Sequence, residues 1–101
     1  MATCNWNGYT FEVCDPNGSW NDVAGVYIFA GLGSDGRWRA YYIGLCDSFK
    51  NRCTNHERWA EAVQLGATHV HAMVVPLVAD RQRIEQALIG WAQPQLNTHH
   101  R

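Results

Sequence analysis

Residues 41–59, YYIGLCDSFKNRCTNHERW, pass from aromatic and β-branched positions through a glycine into a helix-like spacing, and carry Tyr42, Arg52 and His56 within fifteen residues. Arginine offers a planar charged fork that suits phosphate or carboxylate better than an ammonium does. Histidine titrates close to neutrality. A phenol, with a pKa near ~10, is a poor base unless its neighbours shift it. A second tyrosine, Tyr27, and one of the chain's nine acids, Glu85, lie elsewhere in the chain. Singly, each has an ordinary structural use: hairpin tyrosines pack across strands, a lone helix arginine is solvated, a lone glutamate is surface. Whether they act together depends on the elements that carry them.

VAGVYIFAG, residues 23–31, reads as a buried strand, GLGSDGR as a hairpin loop, and WRAYYIGL, residues 38–45, as the return strand. A loop centred on Ser34 and Asp35 sets Tyr27 directly opposite Tyr42. A turn on Asp35 and Gly36 leaves the tyrosines one pair out of register but still on one face. Only an odd-length loop would separate them, because a one-residue slip reverses facing. The expectation is one shared face. Asp47 or Ser48 caps a helix beginning near Phe49, on which Arg52 and His56 are one turn apart. A second helix, about 57–65, turns Trp59, Ala62 and Val63 inward and ends at Gly66. THVHAMVVPL is a third strand. Asp80 caps a last helix whose Ile84, Leu88 and Trp91 form the core stripe, with Glu85 at the boundary of the buried face; Pro94 ends it. Before all this, Trp6, Tyr9, Phe11 and Val13 suggest a short edge strand within residues 1–22.

The composition bounds the class. A chain of 101 residues is one domain, and 47% hydrophobic with 17% charged residues describes a globular protein rather than a disordered one. The longest apolar run contains a proline and is too short for a membrane span, and the N-terminus lacks a signal core, so a cytoplasmic protein with no membrane partner is expected. Cys4, Cys14, Cys46 and Cys53 show no C-x-x-C spacing and read as reduced thiols. The net charge of −1 argues against a basic coat for nonspecific polyanions. It leaves room for a local site, since seven of the eight basic residues are arginine.

GVY at 25–27, YIG at 42–44, an arginine and histidine on the next helix, an acid on the last helix and P-x-x-N after it form an ordered pattern. It resembles the GIY-YIG nuclease superfamily over about residues 24–97. The resemblance implies an α/β fold of the α+β sandwich type, a three-stranded antiparallel sheet flanked by helices. Residues 23–97 would form the nuclease domain, 1–22 an N-terminal extension and 98–101 a tail. It implies an endonuclease hydrolysing DNA phosphodiester bonds by a one-metal mechanism with Mg²⁺ or Mn²⁺. Matched position by position, the site comprises Tyr27, Tyr42, Arg52, His56, Glu85 as metal ligand and Asn97, with Gly25 and Gly44 as motif backbone. Val26 replaces the usual isoleucine of the first motif. The segment between the motifs is longer than the family's commonest spacing, so the hairpin tip is expected to reach substrate.

Phosphodiester hydrolysis needs an activated water, positive charge against the phosphoryl oxygens and a stabilised leaving oxygen. In the family reading Arg52 supplies a fixed fork, worth roughly 3 kcal/mol in the transition state, and Glu85 holds the hard cation. Tyr27, if a metal, arginine or second phenol lowers its pKa, is one candidate base; His56 is the other. Tyr42 positions phosphate or water. Trp38, Arg39 and Lys50 are candidate substrate contacts, Trp38 by stacking on a base, though packing on the N-terminal strand explains Trp38 as well. His69 and His71 share a face of the third strand and read as partly buried hydrogen-bonders; His99, His100 and Arg101 close the chain at an end expected to fray. Double-stranded or branched DNA is the expected partner, and a homodimer would let two sites cut opposite strands. The alternatives are a noncatalytic nucleic-acid-binding domain of the same fold, and an interaction protein binding zinc through Cys46, Cys53 and the histidines.

Overall fold

The computed structural model describes residues 2–98, so His99, His100 and Arg101 lie outside the described residues. The elements are β1 (Thr3–Trp6), β2 (Tyr9–Cys14), β3 (Gly25–Leu32), β4 (Trp38–Cys46), α1 (Phe49–Cys53), α2 (Trp59–Leu65), β5 (His69–Val74), α3 (Val78–Ala92) and α4 (Gln95–Thr98). The strands form one antiparallel sheet in the order β1-β2-β5-β3-β4, five strands where three were expected. The expected three are β3, β4 and β5. The others arise because Asn7 and Gly8 take positive φ, 51° and 92°, and join Trp6 to Tyr9 as a cross-strand pair. Asn-Gly favours this two-residue turn because both central residues must be left-handed. β2 then pairs with β5, Val13 opposite His71. No helix among the described residues is long and apolar enough to cross a membrane.

β3 is flanked by strands on both edges and is buried from Gly25 to Gly31. Its alternating side chains feed two cores. Val26, Ile28 and Ala30 join Trp6, Phe11, Ile43, Ile84 and Leu88 under α3. Tyr27 and Phe29 face the other way, with Phe49, Ala62 and Leu96 from α1, α2 and α4. The two tyrosines do share this second face, by an indirect route. At the turn Leu32 pairs with Trp38, which leaves the odd-length loop 33–37. The register then shifts between Phe29 and Ala30, so that Ala30 faces Ala40 but Phe29 faces Tyr42. This bulge leaves Tyr41 without a partner on β3 and reverses the facing that the loop imposed.

The helices depart from expectation at their ends. Ser48 caps α1, its hydroxyl accepting from the Asn51 N–H at 3.2 Å. α1 stops at Cys53, so His56 is not on it. In α2, Ala62 is buried but Val63 is 46% exposed, about 100° further round the helix. α3 starts before Asp80; Leu77 holds the cap position and Asp80 lies in the first turn, where its charge still complements the helix dipole. Its inward stripe is Arg81, Ile84 and Leu88, while Trp91 is 54% exposed and meets an edge of Trp6, ring centroids 6.5 Å apart. Leu88→Ala is therefore expected to cost about 2–5 kcal/mol in urea unfolding, and Trp91→Ala under about 1 kcal/mol; equal losses would contradict this placement of the stripe.

Candidate active site

Tyr27 sits in the middle of the sheet, 1% exposed, with Gly44 directly opposite on β4. A Cβ at Gly44 would overlap the Tyr27 phenol oxygen and ring, so the second motif's glycine vacates the space that the first motif's tyrosine fills. A Cβ at Gly25 would likewise meet the Met73 carbonyl and the Phe49 ring. Tyr42, opposite Phe29, lies beside Tyr27 with ring centroids 6.2 Å apart.

His56 reaches these rings from the turn between α1 and α2 rather than from the helix face beside Arg52. It is buried edge-on against Phe29 at 4.9 Å and Tyr42 at 5.2 Å. Its Nε2 is 2.7 Å from the Tyr27 hydroxyl, and its Nδ1 accepts the Arg58 backbone N–H at 2.9 Å. Since Nδ1 is an acceptor, the ring proton of the neutral imidazole is on Nε2. His56 therefore donates and the Tyr27 oxygen accepts, which leaves the phenol proton free to point away from His56. Burial, with Arg52 second, lowers the His56 pKa to about 4, so the ring is neutral at pH 7.

Arg52 places its fork against Glu57, with both nitrogens 2.9 Å from carboxylate oxygens. This pair holds the Glu57 carboxyl down at about 2 and the guanidinium still more firmly charged. Arg52 also favours ionised Tyr27, yet the Tyr27 pKa stands well above the ordinary phenol value because burial dominates and Tyr42 adds to it. The expectation that arginine or a second phenol lowers this pKa is thus corrected: Tyr42 raises it, and Arg52 is outweighed. Arg58, not anticipated from the sequence, lies over the Tyr42 ring at 5.6 Å and pairs with Glu61 at 2.8 Å.

Asn97 acts through backbone. Its carboxamide accepts the Ile43 N–H and donates to the Ile43 carbonyl, each at 2.8 Å, standing in for a further strand at the free edge of β4. Arg81, 3% exposed, joins the layers: it donates to the Val75 and Pro76 carbonyls at 3.0 and 2.8 Å and to Asp47 at 2.9 Å, tying α3 to the end of β4. A shallow depression of about 300 Å³ opens there between Cys46, Asp47, Ser48, Asn51 and Arg52.

The structure thus brings Tyr27, Tyr42, His56 and Arg52 together over Gly44, with Asn97 behind them. Glu85 comes from α3 in the other layer, one turn beyond Arg81 on the same side of the helix. It is half-buried, burial raises its pKa, and no hydrogen bond or ion pair engages it among the described residues. Lys50 is exposed on α1, and Arg39 is held loosely to Asp35 at 3.4 Å. Trp38 packs on His71 and His69, at 4.5 and 5.4 Å, on the far face of the sheet. His71 is fully buried and accepts from the Trp6 indole at 2.9 Å. No group of three or more His, Cys, Asp or Glu side chains that could hold a metal ion occurs among the described residues, and all four cysteines are free thiols.

An unfolded histidine titrates near ~6.5 and native His56 at about 4. The native state therefore binds fewer protons in between, and the stabilisation is complete above the unfolded pKa and lost as pH falls through the native one. The melting temperature is expected to fall between pH 6.5 and 4, less steeply in His56→Gln; His71, also lowered to about 4, keeps the variant's slope from vanishing. Identical slopes for the two proteins would show that His56 is not the group being titrated.

No protein-family model and no curated protein matches the chain. Two solved structures do, both of the GIY-YIG N-terminal endonuclease domain of UvrC from Thermotoga maritima, each a point mutant bound to its catalytic divalent cation. The TM-scores are 0.61 and 0.60 at 23% identity, covering 75% of this chain and 83% of those. With its motif tyrosines, arginine and histidine in mutual contact on an antiparallel sheet between helices, this chain has the fold of the GIY-YIG endonuclease domain.

Proposed function

We propose that the chain belongs to the GIY-YIG superfamily and is an endonuclease that hydrolyses DNA phosphodiester bonds with one divalent cation. The observation that carries this reading is the contact set of Tyr27, Tyr42, His56 and Arg52, drawn from two strands, a helix and a turn and built around the space left by Gly44. The donor set fits a hard cation: Glu85 is a half-buried carboxylate without a counter-charge among the described residues, and Mg²⁺ or Mn²⁺ is satisfied by one carboxylate with waters and substrate oxygens. When bound, such an ion supplies Lewis-acid charge for the phosphoryl oxygens.

The chain's own groups supply the rest. Arg52 takes the phosphate in its fork by exchanging it for the Glu57 carboxylate, which already occupies the planar, two-pronged geometry that a phosphate adopts. Tyr42, under Arg58, orients phosphate or water. Of the two candidate bases the tautomer favours Tyr27. The basic nitrogen of His56 is committed to the Arg58 N–H, whereas the Tyr27 oxygen receives the Nε2–H bond that would stabilise its phenolate. Burial keeps Tyr27 protonated in the free protein, so its ionisation would need positive charge beside the phenol, which a bound divalent cation would supply.

A noncatalytic nucleic-acid-binding reading draws on two observations, the occupied Arg52 fork and the raised Tyr27 pKa. Plasmid nicking separates the two. Wild type is expected to nick with Mg²⁺ or Mn²⁺ and not with EDTA, and Glu85→Ala and Tyr27→Phe to lose about 10²–10³ in rate. Equal nicking by Glu85→Ala would reject the metal assignment. Absence of nicking by wild type on plasmid, forked and nicked substrates would turn the reading to binding alone.

A further inference from the structure

The free edge of β4 continues past the Asn97 clamp into a groove of about 380 Å³, lined by Trp6, Trp38, Arg39, Tyr41, Trp91 and Gln95 among others. Its size falls within the range of small-molecule sites. We propose that this groove is a stacking subsite for one unpaired nucleobase of the DNA strand being cut, with Arg39 on a neighbouring phosphate. The inference rests on the nuclease reading above and adds a substrate class to it: DNA with an unpaired segment beside the scissile bond.

Three observations carry it. First, the aromatic surface is braced before any ligand arrives. Trp38 is held edge-on by His71 and His69 at 4.5 and 5.4 Å, and Trp6 is fixed by its hydrogen bond to His71. Trp91 is 54% exposed over this floor, an indole that no core requires to be there. The braced floor of half-buried Trp38 and buried Trp6 leaves Trp91 as the ring with the most free area, and a base offers a π-face of any sequence to it. A paired base inside a duplex keeps its faces covered by its neighbours, so the ligand that fits is an unpaired one.

Second, the charge is of the right sign. The lining includes one cation, Arg39, and no carboxylate. The Arg39 side chain is 57% exposed, and its Asp35 contact is long and open to solvent, an ion pair that a phosphate can replace. Third, the groove and the site share β4. Trp38, on the far face, and Gly44 lie on this one strand, about 20 Å apart at the rise of an extended chain, so a nucleic-acid segment of a few nucleotides crossing the β4 edge spans the distance between groove and phosphate site.

The test uses the full chain, without metal so that binding is read apart from cleavage. Fluorescence anisotropy compares a DNA fork with one oligothymidylate arm, the same fork with an abasic arm of equal length, and the blunt duplex. Wild type is expected to hold the thymidine arm roughly five- to tenfold tighter than the abasic arm, the effect of one stacked base. Trp91→Ala should abolish that difference and Trp91→Phe restore most of it. Because the abasic change is made in the DNA, it cannot act by unfolding the protein. Equal affinity of wild type for both arms would overturn the subsite while leaving the nuclease reading to metal-dependent nicking. A preference for the thymidine arm that survives Trp91→Ala would place the base elsewhere and also overturn it. Lack of binding to any of the three DNAs, with no nicking, would remove both proposals together.

Discussion

A tyrosine occupies the centre of this sheet because the residue facing it has no side chain. Tyr27 and Gly44 form one cross-strand pair, and the phenol fills the volume that any other residue at 44 would claim. Once the ring is there, its hydroxyl is cut off from solvent and needs a polar partner, since an unpaired buried hydroxyl costs on the order of 1–3 kcal/mol. His56 supplies that partner, and the Arg58 N–H decides which nitrogen does so. Phe29, itself backed by Trp59, and Tyr42 close around the imidazole and keep it neutral. A packing requirement on β3 and β4 thus sets the protonation states of the site.

The second constraint is that the groups of the proposed site come from opposite sides of the sheet. Tyrosines, histidine and Arg52 lie under α1 and α2, whereas Glu85 rides on α3. What the two layers share is the β4 edge. Asn97 holds that edge at Ile43 from α4, and Arg81 holds its end at Asp47 from α3. A buried guanidinium used as a cross-link is a costly choice, because losing one of its partners strands a charge. Here it fixes the helix bearing Glu85 relative to the strand bearing Tyr42 and Gly44, which a purely apolar contact would do with less directional precision.

Much of this was legible in the sequence. Residue order and strand periodicity placed β3, β4 and β5, and the expectation that Tyr27 and Tyr42 share a face holds. The reason it holds was not legible: the 33–37 loop is of the odd length that would separate the tyrosines, and a bulge at Tyr41, for which no glycine or proline marks the position, undoes it. The alternation of Tyr9, Phe11 and Val13 marked one strand of the first hairpin, β2, whereas its partner β1 is only four residues long, too short to show alternation. His56 escaped helix spacing because α1 is only five residues long, too short to set its own boundaries by propensity and ended instead by the turn that buries the imidazole. Arg81, Glu57 and Arg58 carry no local pattern at all; an arginine on the inner stripe of α3 looks like a surface residue until Asp47 and two carbonyls are found around it.

The claim at the centre of this account is that Tyr27 accepts, and His56 donates, the hydrogen bond joining the two motifs' core to the α1–α2 turn. Long-range ¹⁵N–¹H correlation spectra of the imidazole nitrogens at pH 5–7 test it directly. The account predicts that His56 carries its proton on Nε2 and stays neutral down to pH 5. A proton on Nδ1, or an imidazolium already formed at pH 6, would contradict it.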